Sequence, residues 1–80
     1  MKVSVRFFAA LRDETGLERQ DVELEEGSGV RDLLMALRKA YPALRGADRL
    51  LFAVNGVRST PDQRLREGDI IVLIPPVSGG

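Results

Sequence analysis

The chain offers one place where its own atoms could take part in chemistry, and this place is its carboxyl end. The last six residues carry almost no side chain that a core could bury: Pro75, Pro76, Val77, Ser78, Gly79 and Gly80. The paired glycines fit a narrow channel because glycine has no Cβ and adopts backbone conformations closed to other residues. A carboxylate is a poor electrophile at neutral pH, so the Gly80 carboxylate must be activated before it can carry another group. We expect the reacting atoms at Gly80.

The residues before Gly80 predict how that carboxylate is presented. Neither residue of Pro75-Pro76 has an N–H to donate to a sheet, and together they favour a stiff polyproline-like base. Six extended residues reach at most about 20 Å, and a stiff base lowers the ordering cost of insertion into a partner. We therefore expect a folded domain over residues 1–76 and a projecting tail over residues 77–80, with 75–79 threading Gly80 into a partner's pocket.

Several kinds of chemistry are excluded by composition. The chain contains no Cys and no His, which excludes disulfides, zinc–thiolate sites and nucleophilic catalysis by Cys–His or Ser–His pairs. It also has no GxxxxGK[ST] phosphate loop, so ATP-dependent activation would need another protein. The adjacent carboxylates Asp13-Glu14 and Glu25-Glu26 point apart in a helix or strand, so we interpret them as solvated surface. We expect no metal site and no permanently bound cofactor.

Charge and hydropathy narrow the classes of partner. Twelve basic and twelve acidic residues give zero formal net charge, without the basic block that nucleic-acid binding requires. The longest apolar run, Ile70–Ile74, is too short to cross a bilayer, and the N-terminal segment alternates without the apolar core of a signal peptide. We expect one small cytoplasmic domain with neither nucleic acid nor membrane as partner.

Hydrophobic periodicity in the first half of the chain predicts two strands and one main helix. Lys2–Phe8 and Gln20–Glu25 alternate as strands do, with a short helical turn predicted between them at Ala9–Glu14. The main helix follows, with Ser28 as the expected N-cap and Pro42 ending it at Tyr41. Its apolar residues recur at helical spacing along one stripe, which we interpret as core: Val30, Leu33, Leu34, Leu37 and Tyr41.

The second half of the chain reads as three further strands. Leu50–Val54 and Val57–Ser59 flank Asn55-Gly56, the strongest short signal for a type I′ hairpin turn. The apolar run Ile70–Ile74 predicts a central strand buried on both faces. The elements together predict the α+β class, with a mixed sheet of about five strands covered on one face by one main helix.

The sheet face without a helix is a candidate partner-docking surface. Phe8 lies opposite Val3, Val5 and Phe7 in the alternation, so we expect it on the open face; the alternative is a core aromatic after a strand bulge. Alternation alone does not show which side of Ile70–Ile74 points outward. If Ile71 and Leu73 face the helix, the remaining residues form an exposed apolar patch with Phe8, and such patches commonly mark interfaces: Ile70, Val72 and Ile74.

One basic residue joins this candidate interface. Arg12 lies near the expected position of Phe8 and could pair with an acidic group on a partner. The alternative is a solvated arginine on a short helix. The candidate interface residues are therefore Phe8, Arg12 and Ile74.

These features resemble the ubiquitin-like β-grasp fold and, within it, the sulfur-carrying small subunits of molybdopterin synthase, the MoaD family. The resemblance extends along the full length of the chain. Its most specific part is the ending Pro75-Pro76-Val77-Ser78-Gly79-Gly80, and the other matching stretches are Phe7-Phe8-Ala9 with Arg12, Ala53-Val54-Asn55-Gly56, and Leu65 with Gly68-Asp69.

The resemblance implies a cycle in which the chain is a non-catalytic, sulfur-donating subunit of a two-protein sulfurtransferase. A partner enzyme would use ATP to adenylate Gly80, and a sulfur donor would convert it to a thiocarboxylate. Docked in the large synthase subunit, in an expected heterotetramer, the tail would deliver sulfur to cyclic pyranopterin monophosphate.

Three alternatives remain open from sequence. A related carrier could serve thiamine synthesis or tRNA thiolation. A ubiquitin-like modifier would instead join its terminus to lysines of other proteins. A plain interaction module would have an inert tail.

Overall fold

The computed structural model describes residues 1–8, 10–42, 44 and 50–74, and these residues fold into one mixed sheet with two helices. In chain order the elements are β1 Lys2–Phe7, α1 Ala10–Thr15, β2 Arg19–Glu23, α2 Val30–Ala40, β3 Leu51–Val54, β4 Val57–Ser59 and β5 Ile70–Ile74. The strand order is β2-β1-β5-β3-β4. Neighbouring strands are antiparallel except for β1 and β5, which are parallel. The predicted α+β architecture is confirmed. Residues 75–80, which include the predicted tail, lie outside the described residues.

The core lies between the sheet and α2. Alternate residues of the two central strands are fully buried: Val3, Val5 and Phe7 in β1, and Ile71 and Leu73 in β5. They form one hydrophobic cluster with the apolar stripe of α2, in which Val30 and Leu33 are completely inaccessible. The predicted stripe is confirmed, and Tyr41 completes it with an edge-on contact to the Phe7 ring at a centroid distance of 6.1 Å.

The start of α2 differs from the prediction in its capping residue. The N-cap is Gly29, not Ser28, and the Asp32 carboxylate accepts the Gly29 N–H at 2.9 Å. A glycine is needed here because a Cβ would lie 2.9 Å from the backbone carbonyl oxygen of Gln63. That same carbonyl accepts the Val30 N–H at 2.9 Å. The N-cap position is therefore set by close packing against the backbone of Gln63, although a serine side chain would be the better capping group.

The hairpin between β3 and β4 turns as predicted. Asn55 has φ +51° and Gly56 has φ +84°, the two successive positive φ angles that a type I′ turn requires. Asn55 is the only described non-glycine residue with a positive φ.

The strand β5 is central, as predicted, but it is buried on one face only. Its neighbours are β1 and β3, and its inward residues Ile71 and Leu73 have no accessible surface. On the other face Ile70 is 37% exposed and Ile74 is 39% exposed, because no described element covers that side of the sheet. The expectation of burial on both faces is therefore wrong. A five-residue apolar run indicates a central strand, but it does not reveal whether both sides are covered.

Candidate functional site

The described part of the chain ends at β5, the strand that directly precedes the predicted reactive tail. The predicted site residues Pro75, Pro76, Val77, Ser78, Gly79 and Gly80 lie outside the described residues. Ile74, the last described residue, lies opposite Leu51 of β3. The tail therefore follows a central strand that is hydrogen-bonded on both sides.

Around this strand, the uncovered side of the sheet carries a continuous group of apolar side chains. Ladder pairs share a face, so the outward residues of β5 are accompanied by Leu51, opposite Ile74, and Ala53, opposite Val72. We call this group, together with Phe8, the open-face patch: Phe8, Leu51, Ala53, Ile70, Val72 and Ile74. The structure thus answers the question that alternation left open, since Ile71 and Leu73 are the residues that face the helix.

Phe8 extends the open-face patch beyond the end of β1. It follows Phe7, which lies opposite Leu73, so Phe8 and Ile74 continue neighbouring parallel strands at the same end of the sheet. Its side chain is 48% exposed, which excludes a core aromatic. The Phe8 carbonyl accepts the Leu11 N–H at 3.1 Å, so the backbone there is fixed by the start of α1.

Arginines border the open-face patch on the side of β2. Arg6 of β1 lies directly opposite Arg19 of β2, and both are exposed. These two side chains, with Phe8, Arg12 and Glu18, line a shallow depression of about 410 Å³ beside the patch. A complementary surface would therefore be apolar at its centre and acidic where it meets the arginines.

Arg12 lies in this border but already has a partner within the chain. Its Nη1 is 3.2 Å from Glu18 Oε1, and both side chains are exposed to solvent. An exposed ion pair of this kind contributes at most about 1 kcal/mol and is readily exchanged for another. The structure brings Phe8 and Arg12 to one depression and places Ile74 at the same end of the sheet.

Sequence reasoning did not single out three contributors to this surface, which are Leu51, Ala53 and Arg19. Arg6 was also not among the candidate interface residues. Their signal lies in the ladder register, which pairs Leu51 with Ile74 and Arg19 with Arg6. The predicted second strand began at Gln20, so Arg19 fell outside it, whereas β2 begins at Arg19 and ends at Glu23.

The described residues carry no cluster of three or more His, Cys, Asp or Glu side chains that could hold a metal ion. Within the same ranges, no helix is long and apolar enough to cross a membrane. This face joins exposed aliphatic and aromatic groups to a charged border, a combination that protein-binding surfaces share.

Comparison with known proteins gives a family match over almost the whole chain. The sequence profile described as the ThiS family matches residues 5–80. The chain is 37% identical over 83 residues to the molybdopterin synthase sulfur carrier subunit of Chlamydomonas reinhardtii, covering all of both chains. It is 38% identical over 84 residues to the protein of that name from Mycobacterium tuberculosis (strain ATCC 25618 / H37Rv), covering 100% of this chain and 99% of the relative.

Solved structures share the fold. SAMP1 from Haloferax volcanii superposes with a TM-score of 0.89 at 29% identity, with all of both chains covered. The complex of subunits 1 and 2 of the molybdopterin-converting factor from Helicobacter pylori 26695 contains a chain that matches with a TM-score of 0.70 at 27% identity, again over all of both chains.

Proposed function

The chain belongs to the ThiS family, and from this premise we propose that it is the sulfur carrier of molybdenum cofactor biosynthesis, the small subunit of a molybdopterin synthase. The observation that carries the proposal is its full-length similarity to two molybdopterin synthase sulfur carrier subunits, in a chain that ends in Gly79-Gly80. In this role Gly80 is a protein-borne cosubstrate, and the chain acts in the cytoplasm.

The chemistry proposed at Gly80 has three steps. The Gly80 carboxylate displaces pyrophosphate from ATP on a separate activating enzyme and becomes an acyl adenylate. A sulfide-level sulfur from a donor then forms a C–S bond to the Gly80 carbonyl carbon as the C–O bond to AMP breaks. The thiocarboxylate sulfur then forms a C–S bond to a side-chain carbon of cyclic pyranopterin monophosphate as a C–O bond at that carbon breaks and its oxygen leaves as water or phosphate. Water cleaves the bond between this sulfur and the Gly80 carbonyl carbon and restores the carboxylate, and two charged chains supply the two sulfurs of one molybdopterin. A chain without Cys has no side-chain thiol on which sulfur could travel.

The large synthase subunit is proposed to cover the open-face patch. An apolar surface of this kind, bordered by Arg6 and Arg19, suits a partner with an apolar centre and an acidic rim. The Helicobacter pylori relative is seen in complex with a second subunit of its own factor, which supports a partner of the same kind here. We propose that two copies of each subunit form a heterotetramer, with Phe8, Arg12 and Ile74 at the contact.

A second function is favoured by one observation. SAMP1 of Haloferax volcanii, whose Methanosarcina acetivorans counterpart is called small archaeal modifier protein 1, resembles this chain closely in fold. A protein modifier would end in an isopeptide bond between Gly80 and a lysine of another protein. The ThiS family match likewise keeps a carrier for thiamine synthesis or tRNA thiolation as an alternative acceptor pathway.

The proposal is tested by charging the purified chain. Incubation with the activating enzyme, ATP and sulfide should raise the intact mass by the difference between sulfur and oxygen, located at Gly80 by fragmentation. The matched control is the chain lacking Gly80, which should stay uncharged while its unfolding curve is unchanged. The charged chain, mixed with the large subunit and cyclic pyranopterin monophosphate, should then lose that sulfur as molybdopterin forms.

Other results would contradict the proposal. A chain that never gains sulfur, or one that gains it and transfers it only to a thiamine precursor or a tRNA, would rule out this synthase role. Recovery of isopeptide-linked adducts from cells, without free thiocarboxylate, would support the modifier. Undiminished synthase activity after removal of Gly79-Gly80 would leave only an interaction module with an inert tail.

A further inference from the structure

The tail-bearing strand lacks the pattern that normally fixes a strand in its register. All five residues of β5 are aliphatic, Ile-Ile-Val-Leu-Ile. A one-residue slip in a sheet moves every side chain to the other face, and it is opposed when the slip would bury polar groups or expose apolar ones. In β1 such a slip would bury Arg6 and expose Phe7, but in β5 it would exchange one set of aliphatic residues for another. Hydrophobicity therefore leaves the register of β5 weakly determined.

The first residue pair between β5 and β3, Ile70 with Asn55, is held by one backbone hydrogen bond and one hydrogen bond to a side chain. The Asn55 backbone N–H donates to the Ile70 carbonyl at 2.8 Å. The return bond would normally end on the Asn55 carbonyl, but the positive φ of Asn55 turns its backbone into the hairpin. The Ile70 N–H donates instead to the side-chain Oδ1 of Asn55 at 2.9 Å. Any residue at this position would offer the same backbone N–H, so this bond completes the pair but does not by itself select residue 70.

The Asp69 side chain fixes the position of the Asn55 side-chain amide. Its Oδ1 accepts the Asn55 Nδ2–H at 2.9 Å, and its Oδ2 accepts the Arg66 N–H at 2.8 Å. Its backbone carbonyl accepts the Ser4 N–H of β1 at 2.9 Å. A slip of one residue would put Gly68 or Ile70 where Asp69 stands, and neither side chain can accept these hydrogen bonds.

We propose that Asn55 and Asp69 are positioning residues that set the register of β5 and thereby the position and orientation of Ile74, the residue that precedes Pro75 and the predicted tail. The consequence for sulfur transfer rests on the proposed function. A slip of one residue would move Ile74, which precedes the tail, by about 3.3 Å along the strand and would turn its side chain to the other face of the sheet. Misplacing a reacting group by about 1 Å can cost a hundredfold in rate, so the Gly80 thiocarboxylate would seldom reach its acceptor.

The register is read directly by NMR. In the native register the non-hydrogen-bonded pairs of β3 and β5, Phe52 with Leu73 and Val54 with Ile71, should give Hα–Hα cross-peaks. The test variant is Asn55→Gly, because glycine keeps the positive φ while removing the side-chain amide. We expect a second set of cross-peaks in which Phe52 meets Val72 or Ile74. The control Asp32→Ala removes a comparable exposed hydrogen bond, at the start of α2, and should show the native set alone.

A second substitution that restores the native register distinguishes a register shift of β5 from a general loss of stability. Adding Val72→Thr to Asn55→Gly places a polar group on the open face, which a slip would bury without a partner. We expect the second set of cross-peaks to disappear. Asp69→Ala tests the hydrogen bonds that the Asp69 carboxylate accepts. If the alanine variant does not fold, Asp69→Asn replaces it, because asparagine keeps the shape and one acceptor oxygen.

Sulfur transfer is measured with the charged chains and the large subunit in single turnovers. We expect Asn55→Gly to slow transfer roughly tenfold to a hundredfold, and Asp32→Ala to stay within about twofold. Native cross-peaks alone in both Asn55→Gly and the Asp69 variant would overturn the proposal. They would assign the register to contacts with β1, such as the Gly68 N–H to Lys2 carbonyl bond.

Failure of the positioning role and failure of the proposed function give different results. A slipped register with an undiminished transfer rate would overturn the positioning role. If the wild-type chain gains no sulfur at all, the proposed function fails, and the register assignment stands or falls on the cross-peaks alone.

Discussion

The two faces of β5 carry similar side chains but have different surroundings. On the face under α2, Val5 and Ile71 are completely buried. On the opposite face, Ile70 and Ile74 belong to the same strand as Ile71 and are of the same residue type, yet more than a third of each is exposed. The difference is set by the covering helix and not by the hydrophobicity of the strand. Aliphatic residues therefore serve stability on one face and, in the proposed function, recognition on the other.

The largest expected effect tests the covered face. Leu33→Ala removes a fully buried side chain of α2 and should cost about 2–5 kcal/mol of unfolding free energy. The matched control on the same helix is Met35→Ala, since Met35 is 58% exposed and its truncation should change stability by less than about 0.5 kcal/mol. Urea unfolding measures both. Equal losses in the two variants would contradict the assignment of the core to this face.

An intermediate effect tests the open-face patch. Phe8→Ala should leave the unfolding free energy nearly unchanged and weaken binding of the large subunit about tenfold, since truncating an aromatic side chain that a partner buries can cost more than 1 kcal/mol. The control is Val57→Ala, because Val57 is 69% exposed but lies in β4 outside the patch. Calorimetric titration measures both affinities. A tight Phe8→Ala complex would place the interface elsewhere.

The smallest expected effect is that of Arg19→Glu, which should raise the stability of the domain but weaken its complex with the large subunit. Arg19 faces Arg6 across the ladder, and like charges directly opposite are unfavourable. Arg19→Glu should therefore raise the unfolding free energy by about 0.2–1 kcal/mol while weakening the complex, most strongly at low salt. Lys39→Glu makes the same charge change on α2 and should leave binding unaltered. If Arg19→Glu tightened the complex, the proposed acidic rim on the partner would be wrong.

Much of the fold follows from local sequence signals. The apolar stripe of α2 and the Asn55-Gly56 turn were both predicted, because each depends on spacing or on φ preferences within a few residues. Exposure of Phe8 was also predicted, from simple alternation in the first strand.

The remaining features depend on contacts between distant parts of the chain. Gly29 replaces Ser28 as the N-cap because a carbonyl from the 60s segment packs against it. The outward side of β5 was left undetermined, since five aliphatic residues carry no alternation. Arg19 joins the open face only through its register with Arg6. The tail residues stay a prediction from sequence.

The position of β5 also determines how the molecule responds to mechanical load. The strand is flanked by β1 and β3, so traction at Ile74 is resisted by hydrogen bonds on both sides at once. Such bonds lie across the direction of pulling and must yield together, whereas an edge strand could be peeled away one bond at a time. In the proposed function, a domain anchored in this way would stay folded while its C-terminal residues are drawn out of a partner's pocket.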